Sequence, residues 1–176
     1  MDMLTKLNSR VEIQDLMARY CRAVDRRDWE ALRACYHSDA YDAHGSYSGD
    51  VDGFIDWVST RHAVIPFSMH FVGNCLIEFV DETTAISETS FVVFRRAPAS
   101  DKDAAQRIAE VDAEVFGRYL DRVERRDGGW RYARRKVVID ETRTRPSQGG
   151  VIPAVGRRDA ADPVYAWWRN AGLSVD

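Results

Sequence analysis

One stretch of the sequence, Tyr20–Trp29 (YCRAVDRRDW), joins the end of a long amphipathic helix to the start of the next helix. Upstream of the junction, four apolar side chains recur at helical spacing: Ile13, Met17, Tyr20 and Val24. This period means that one stripe of the helix is buried. The pattern predicts a first helix that begins at Thr5 or Asn8 and ends at about Val24.

Asp25 is the residue in this stretch that local helix physics does not explain. It lies beside the apolar stripe, in the last turn, where the negative end of the helix dipole disfavours a carboxylate by about 0.3–1 kcal/mol. Asp28 is suited to cap a second helix, predicted from Trp29 to about Cys35, so capping accounts for Asp28 but not for Asp25. Asp25 is therefore predicted to be a partly buried carboxylate with a partner elsewhere in the chain.

Length and composition favour a single globular domain. The chain has 176 residues, of which 45% are hydrophobic and 30% charged, enough to bury a core without disulfides or metals. A formal net charge of -3 gives no reason to expect nucleic acid or an acidic membrane as partner. Three widely spaced cysteines, with no export signal and no long apolar run, favour a cytoplasmic protein.

The rest of the sequence predicts helices first and long strands afterwards. Residues 38–49 resemble a short strand closed by a turn, and Asp50 or Asp52 then starts a third helix that Pro66 ends. The face of that third helix is formed by Phe54, Trp57, Val58 and Arg61. Alternating apolar residues then predict four strands, with a polar loop at residues 97–103 after the second: Phe67–Val80, Thr84–Arg95, Val111–Arg125 and Trp130–Arg143.

This order of elements predicts an α+β fold, in which three N-terminal helices pack on one face of a curved antiparallel sheet around a pocket. Residues 1–145 form the predicted domain, and residues 146–176, rich in proline and glycine at first, form a C-terminal tail. The tail contains Tyr165, Trp167 and Trp168, which are too apolar to be left in water. We expect them to pack on this domain or on a neighbouring subunit.

His70 is the candidate partner for Asp25. It lies on the first long strand, whose alternation predicts Val72, Asn74 and Leu76 on the same face. A histidine bonded through one ring nitrogen to a buried carboxylate is held in one tautomer, which makes its other nitrogen a positioned general base. The residues alone leave an alternative open, in which His70 is structural and Asp25 pairs with Arg22 or Arg26.

Several common chemistries lack their motifs in this sequence. The phosphate-binding glycine loops, the Gly-x-Ser-x-Gly nucleophile and the His-Glu-x-x-His zinc motif are all absent. A metal centre is only weakly supported. The sequence offers three candidate ligands, Asp42, His44 and His70, and a fourth ligand is missing. What is left is acid–base chemistry by side chains, without a cofactor.

Several segments together resemble the SnoaL-like branch of the NTF2-like superfamily, over roughly residues 5–143. They are the Tyr20-x-x-x-x-Asp25 spacing, Asp42-Ala43-His44-Gly45, Met69-His70-x-x-Gly73-Asn74, Glu88-Thr89, Gly117-Arg118-Tyr119 and Arg126–Arg131. The resemblance implies a cone of curved antiparallel sheet closed by three helices around a deep pocket, often assembled as a homotrimer or homodimer.

Within that superfamily, scytalone dehydratase, bile-acid dehydratase and hexachlorocyclohexane dehydrochlorinase are cofactor-independent lyases that use an Asp–His dyad. By position the resemblance assigns the base to His70, its orienting carboxylate to Asp25 and a catalytic pocket tyrosine to Tyr20. The expected activity is a dehydratase-like elimination, a retro-aldol cleavage or an isomerisation of a small hydrophobic cyclic or aromatic substrate. Small subunits of ring-hydroxylating dioxygenases have a similar fold, so a non-catalytic binding subunit is the alternative.

Five further residues lie on strands that should line the cone, and we expect substrate-binding residues among them: Tyr41, His44, Glu88, Phe116 and Tyr119. Alternation puts Tyr41 and His44 on opposite sides of an ideal strand, so both reach the pocket only if a bulge intervenes. Glu88 is either a second acid–base group or the partner of a nearby arginine.

Overall fold

The first helix, α1, spans Met3–Arg26 and buries the predicted apolar stripe. It begins two residues before Thr5 because the Asp2 side chain accepts a hydrogen bond from the Thr5 backbone N–H and caps the helix. It ends where Arg27 adopts a left-handed backbone conformation with φ 56°, which turns the chain sharply. Asp25, in the last turn, is buried with the stripe.

Two short helices follow, and their caps are among those that the sequence predicts. Helix α2, Trp29–Ala34, is capped by Asp28, whose side chain accepts from the Ala31 N–H. Helix α3, Val51–Ala63, is capped by Asp50 rather than Asp52. The computed structural model describes residues 1–99, 109–150 and 153–173. Among these residues, no helix is both long and apolar enough to cross a membrane.

Six strands of the described residues form one curved sheet. They are β1 (Tyr36–His44), β2 (Tyr47–Asp50), β3 (Phe67–Phe79), β4 (Thr84–Pro98), β5 (Glu110–Arg126) and β6 (Gly129–Pro146). Their order across the sheet is β2-β1-β6-β5-β4-β3. The helices packed on this sheet confirm the predicted α+β cone.

Two details of the sheet differ from the sequence prediction. The short strand predicted at residues 38–49 is a hairpin of β1 and β2, and β1 runs parallel to β6 instead of antiparallel. The two paired strands are almost a hundred residues apart in the sequence. Local periodicity therefore cannot predict that they pair. Ala97 and Pro98 also extend β4 into the predicted polar loop, and residues 100–103 of that loop lie outside the described residues.

Strand β3 contains a bulge that reverses its alternation. Val72 pairs with Phe91 but Cys75 pairs with Thr89, so one extra residue is present in β3 between them. Beyond the bulge Cys75 turns inward, while Leu76 is 62% exposed. The prediction that Asn74 and Leu76 share the face of His70 was therefore wrong, because it assumed an unbroken period of two.

The core between α1 and the sheet is aromatic and contains a buried ion pair. Arg135 is fully buried and donates to both carboxylate oxygens of Asp121, at 2.7 and 2.8 Å. Its guanidinium lies 4.0–4.2 Å from the ring centroids of Tyr20, Tyr119 and Tyr132. Packed aromatic faces thus replace water around the cation.

A fourth helix, α4 (Pro163–Asn170), lies in the C-terminal segment and contacts α1. The Arg22 guanidinium packs on the rings of Tyr165 and Trp168, at 5.1 and 4.4 Å from their centroids. Tyr165 is buried, whereas Trp167 is 77% exposed on this chain.

Candidate active site

A cavity of about 220 Å³ lies between α3 and the inner face of the sheet. About half of its lining residues are apolar, among them Trp57, Val58, Phe91, Val93, Val115 and Val137. Its polar groups include His44, His62, Ser68, His70 and Arg95. The cavity is therefore a chamber of mixed character, in which apolar side chains contact a ligand and several polar groups can fix its orientation.

Asp25 and His70 meet at the edge of this cavity. The His70 Nδ1 atom lies 2.7 Å from Asp25 Oδ1, and the His70 backbone N–H donates to Oδ2 at 2.8 Å. The Ser68 hydroxyl donates to Oδ1 at 3.1 Å. Because an ionised carboxylate only accepts, Nδ1 of His70 carries a proton, and the neutral form of the ring has its lone pair on Nε2.

This contact follows from the two elements that carry it. The last turn of α1 places Asp25 against the start of β3, where residues two apart share a face, so Ser68 and His70 both reach the same carboxylate. The arginines considered as alternative partners are engaged elsewhere. Arg22 packs on the rings of α4, and Arg26 lies 3.5 Å from Asp162.

His44 and Tyr41 lie on opposite sides of β1. His44 lines the cavity, stacked on Phe54 with ring centroids 5.2 Å apart. Tyr41 is 39% exposed and donates to the Ser48 hydroxyl at 3.0 Å. The structure thus brings His44, but not Tyr41, to the chamber that contains His70.

Tyr119 lines the cavity, and Tyr20 lies behind it. Tyr119 stacks on Phe91 at a centroid distance of 4.3 Å, and both rings face the chamber. Tyr20 is fully buried, edge-on to Tyr119 at 5.7 Å. Burial raises the pKa of the Tyr20 phenol. Tyr20 is therefore a neutral core residue that supports the wall.

Glu88 and Phe116 face away from the chamber. The Glu88 side chain is 51% exposed and lies 3.7 Å from the Arg118 guanidinium, as the arginine-partner alternative predicts. The Phe116 ring is covered by Arg143, whose guanidinium carbon lies 4.9 Å from the centroid. The structure does not bring these two residues to His70.

Several lining residues were not predicted as site residues. Ser68 could have been predicted as a site residue, because alternation along β3 places it on the same face as His70. Trp57 and Arg61 were predicted on one face of α3 but were not connected to the site. Alternation along β4 places Arg95 on the face of Phe91 and Val93, which also line the cavity. The pKa of Arg95 is lowered by burial and by the Arg61 guanidinium.

A curved sheet closed by helices over a chamber is the NTF2-like cone fold. The model of the SnoaL-like domain matches residues 5–136, and the chain belongs to the SnoaL-like family. It matches none of the curated protein sequences with which it was compared.

Solved structures share this fold at low sequence identity. The hexachlorocyclohexane dehydrochlorinase LinA-type3 from Novosphingobium barchaimii LL02 is 21% identical with a TM-score of 0.72, over 86% of this chain and 100% of that chain. A candidate scytalone dehydratase from Novosphingobium aromaticivorans DSM 12444 is 21% identical with a TM-score of 0.70, over 89% and 99% of the two chains. A candidate aromatic ring hydroxylase from Novosphingobium aromaticivorans is 22% identical with a TM-score of 0.67, over 80% and 94%. At these identities the similarity establishes the fold.

Proposed function

We propose that this protein is a cofactor-independent lyase that eliminates a leaving group from a small hydrophobic cyclic or aromatic substrate. The observation that carries the proposal is the 2.7 Å contact between His70 Nδ1 and Asp25 Oδ1, in a residue pair that borders a cavity with apolar and polar walls. A carboxylate behind a histidine prepares the other ring nitrogen to accept a proton. The dehydratase and dehydrochlorinase names of the structural neighbours agree with an elimination.

In this mechanism His70 Nε2 removes a proton from a carbon next to an electron-withdrawing group. The electron pair of the broken C–H bond forms the new double bond, and the leaving group departs with its own pair. Asp25 stabilises the imidazolium that forms and does not itself take the proton. The same base supports retro-aldol cleavage, if it takes a hydroxyl proton, or isomerisation, if the proton returns to another carbon.

Arg95 is the cation best placed to bind an oxygen of the substrate. It lines the cavity, and its Nε has no hydrogen-bond partner among the described residues. A buried donor without a partner is costly unless a ligand satisfies it. Tyr119, His44 and the surrounding aliphatic side chains would then hold the ring of the substrate.

The first experiment is to assay the protein and its His70→Ala variant against a panel of cyclic and aromatic alcohols and halides. Product formation by the parent protein and its loss in His70→Ala, with an unchanged circular dichroism spectrum, are the expected results. Equal turnover by both proteins would reject His70 as the base.

The alternative is a non-catalytic subunit of a larger oxygenase. It predicts that the protein turns over nothing in the panel and co-purifies in fixed ratio with a larger iron-containing chain. Light scattering on the purified protein distinguishes this from the homodimer or homotrimer that we infer for the lyase.

A further inference from the structure

A second histidine, His62 near the end of α3, lines the same cavity as His70. Its Nδ1 atom lies 2.8 Å from Nη2 of Arg158, a residue of the C-terminal segment. The same guanidinium donates to three backbone carbonyls: Asp25 at 2.8 Å, Ile65 at 2.6 Å and Val24 at 3.1 Å. Arg158 therefore joins the end of α1, the end of α3 and the site.

The identity of this partner determines where the His62 ring proton is. A guanidinium has five N–H donors and no acceptor, so the His62 Nδ1 atom in contact with Arg158 must accept and must be unprotonated. A neutral imidazole then carries its proton on Nε2. The three carbonyl bonds hold Arg158 in place. Ile65 O and Val24 O also accept from Arg27, at 2.6 and 3.2 Å, so withdrawal of Arg158 would leave the Asp25 carbonyl without its donor.

The surroundings of His62 also keep the ring neutral. Burial and the Arg158 guanidinium lower the pKa of His62 to about 3. The other groups that contribute are Arg95 on β4, Arg27 at the end of α1 and, when it is protonated, His70 on β3; the positive charge of each disfavours a positive charge on the His62 ring. At neutral pH the ring is consequently a hydrogen-bond donor through Nε2 and is not a base.

The two histidines of the cavity thus have partners of opposite charge on the same ring atom. Asp25 accepts from Nδ1 of His70 and leaves Nε2 as a lone pair, whereas Arg158 donates to Nδ1 of His62 and leaves Nε2 as an N–H. One ring is prepared to take a proton and the other to donate a hydrogen bond. A proton abstraction next to a carbonyl needs both functions.

We propose that His62, together with Arg95, is a hydrogen-bond donor to the substrate oxygen, through Nε2–H, and that Arg158 is a positioning residue that fixes the His62 tautomer. The inference rests on the proposed lyase function and narrows its substrate class. The substrate would carry an accepting oxygen, such as a carbonyl, close to the acidic C–H. A purely halogenated hydrocarbon would not use this donor.

The tautomer is tested without any substrate, by imidazole ¹⁵N NMR on the full-length protein, with the His62 signals assigned from their loss in His62→Gln. We expect an unprotonated Nδ1 and a protonated Nε2 that do not titrate between pH 8 and pH 5, values about two units or more above the His62 pKa of about 3. Arg158→Met keeps an unbranched, flexible side chain but removes the guanidinium and its donors, so titration should then begin at higher pH. Arg157→Met is the matched control, because the Arg157 side chain is 60% exposed and lies 3.9 Å from Asp159.

The catalytic role is tested with two replacements of His62. His62→Gln keeps an N–H donor of similar reach and should retain most of kcat on a ketone substrate. His62→Leu should lower kcat about 10²-fold or more, as loss of an oxyanion donor does, with a smaller effect on KM.

Each result decides a different statement. A His62 ring protonated on Nδ1, or titrating in the ordinary range, would overturn the tautomer assignment whatever the activity. Full activity of His62→Leu, together with an inactive His70→Ala, would remove His62 from the mechanism and leave the lyase proposal intact. Full activity of His70→Ala would reject the lyase mechanism and leave the NMR result standing.

Discussion

Both carboxylate oxygens of Asp25 are bound by one residue, His70. The ring Nδ1 contacts Oδ1 at 2.7 Å and the backbone N–H donates to Oδ2 at 2.8 Å. The position of the strand and the orientation of the imidazole are therefore fixed by the same carboxylate. A substitution that replaces either carboxylate oxygen of Asp25 therefore alters the position or the orientation of the His70 ring.

Asp25→Asn should abolish most of the turnover while keeping the fold. An amide has one acceptor oxygen and one donor NH₂. Its oxygen can accept from the His70 backbone N–H or from the ring N–H, and its NH₂ then faces the other N–H, donor against donor. If the backbone bond is kept, the ring adopts the other tautomer and Nε2 is no longer a base. We expect kcat to fall by about 10²–10⁴-fold, the usual contribution of a positioned general base.

Asp28→Asn is the matched control for that change. It lies three residues further on, and asparagine caps a helix about as well as aspartate. Steady-state assays should show wild-type kcat for Asp28→Asn. A similar kcat for Asp25→Asn would mean that the charge of Asp25 does not support His70.

Ser68→Ala should lower stability through the same carboxylate. Ser68 is 5% exposed and its hydroxyl donates to Asp25 Oδ1, and a hydrogen bond to a charged group contributes about 1.5–3 kcal/mol. Urea denaturation should show this loss in the free energy of unfolding. Ser90→Ala, at an exposed position of β4, should change it by less than about 0.5 kcal/mol; equal effects of the two variants would contradict the assigned bond.

The sequence was informative about Asp25 and His70 because each is part of a regular pattern. Helix periodicity left Asp25 without a local role, and the strand pattern placed His70 on the first long strand. The resemblance to a family then connected the two positions. The same alternation placed Asn74 and Leu76 wrongly, since the bulge in β3 depends on pairing with β4 rather than on local residue types.

His62 and Arg158 show what the sequence does not reveal. His62 is not among the residues predicted to share one face of α3. Arg158 belongs to a segment whose sequence shows no helical or strand periodicity. Their contact at 2.8 Å results from the path of the C-terminal segment across the ends of α1 and α3. The parallel pairing of β1 with β6 likewise depends on tertiary structure, so it cannot be predicted from any short segment of the sequence.

Asp121→Asn should be strongly destabilising because it leaves a buried cation without its counterion. Both side chains of the Asp121–Arg135 pair are 0% exposed, and breaking such a pair costs about 3–5 kcal/mol. Asp140→Asn is the comparison, since the Arg118–Asp140 pair is 37% and 46% exposed and should contribute at most about 1 kcal/mol. Urea denaturation measures both, and equal losses would argue against an uncompensated charge in the core.

The His62 environment should also make stability depend on pH. In the unfolded chain this ring takes up a proton near its ordinary pKa of 6.5, whereas in the folded protein its pKa is about 3. Between these values the unfolded state binds more protons, so stability is fully present above pH 6.5 and is lost as the pH falls through this window.

His62→Gln removes this titration and leaves the carboxylates unchanged. The free energy of unfolding of the wild type should therefore decline more steeply than that of His62→Gln as the pH is lowered from 6.5 towards 4, a window above the folded pKa of about 3. Urea denaturation at several pH values measures the difference. Parallel curves for the two proteins would show that the His62 pKa is the same in the folded and unfolded states.

Gly117→Ala should couple core packing to the active-site cavity. A Cβ atom at position 117 would overlap the backbone oxygen of Val138 and would lie 2.7 Å from Cζ of Phe91. The Val138 oxygen belongs to the neighbouring strand and moves only with it, so the Phe91 ring must shift as well. Because Phe91 lines the cavity and stacks on Tyr119 at 4.3 Å, the chamber would be narrowed.

Overpacking of this kind costs about 1–3 kcal/mol, so Gly117→Ala should lower the urea midpoint and raise KM for the larger substrates of the panel first. Gly129→Ala serves as control, because an added Cβ there meets no atom within 4 Å. The cavity argument requires the KM change to grow with substrate size. A uniform loss of activity across substrates would assign the effect to stability, and unchanged stability would mean that β6 yields to the methyl group without cost.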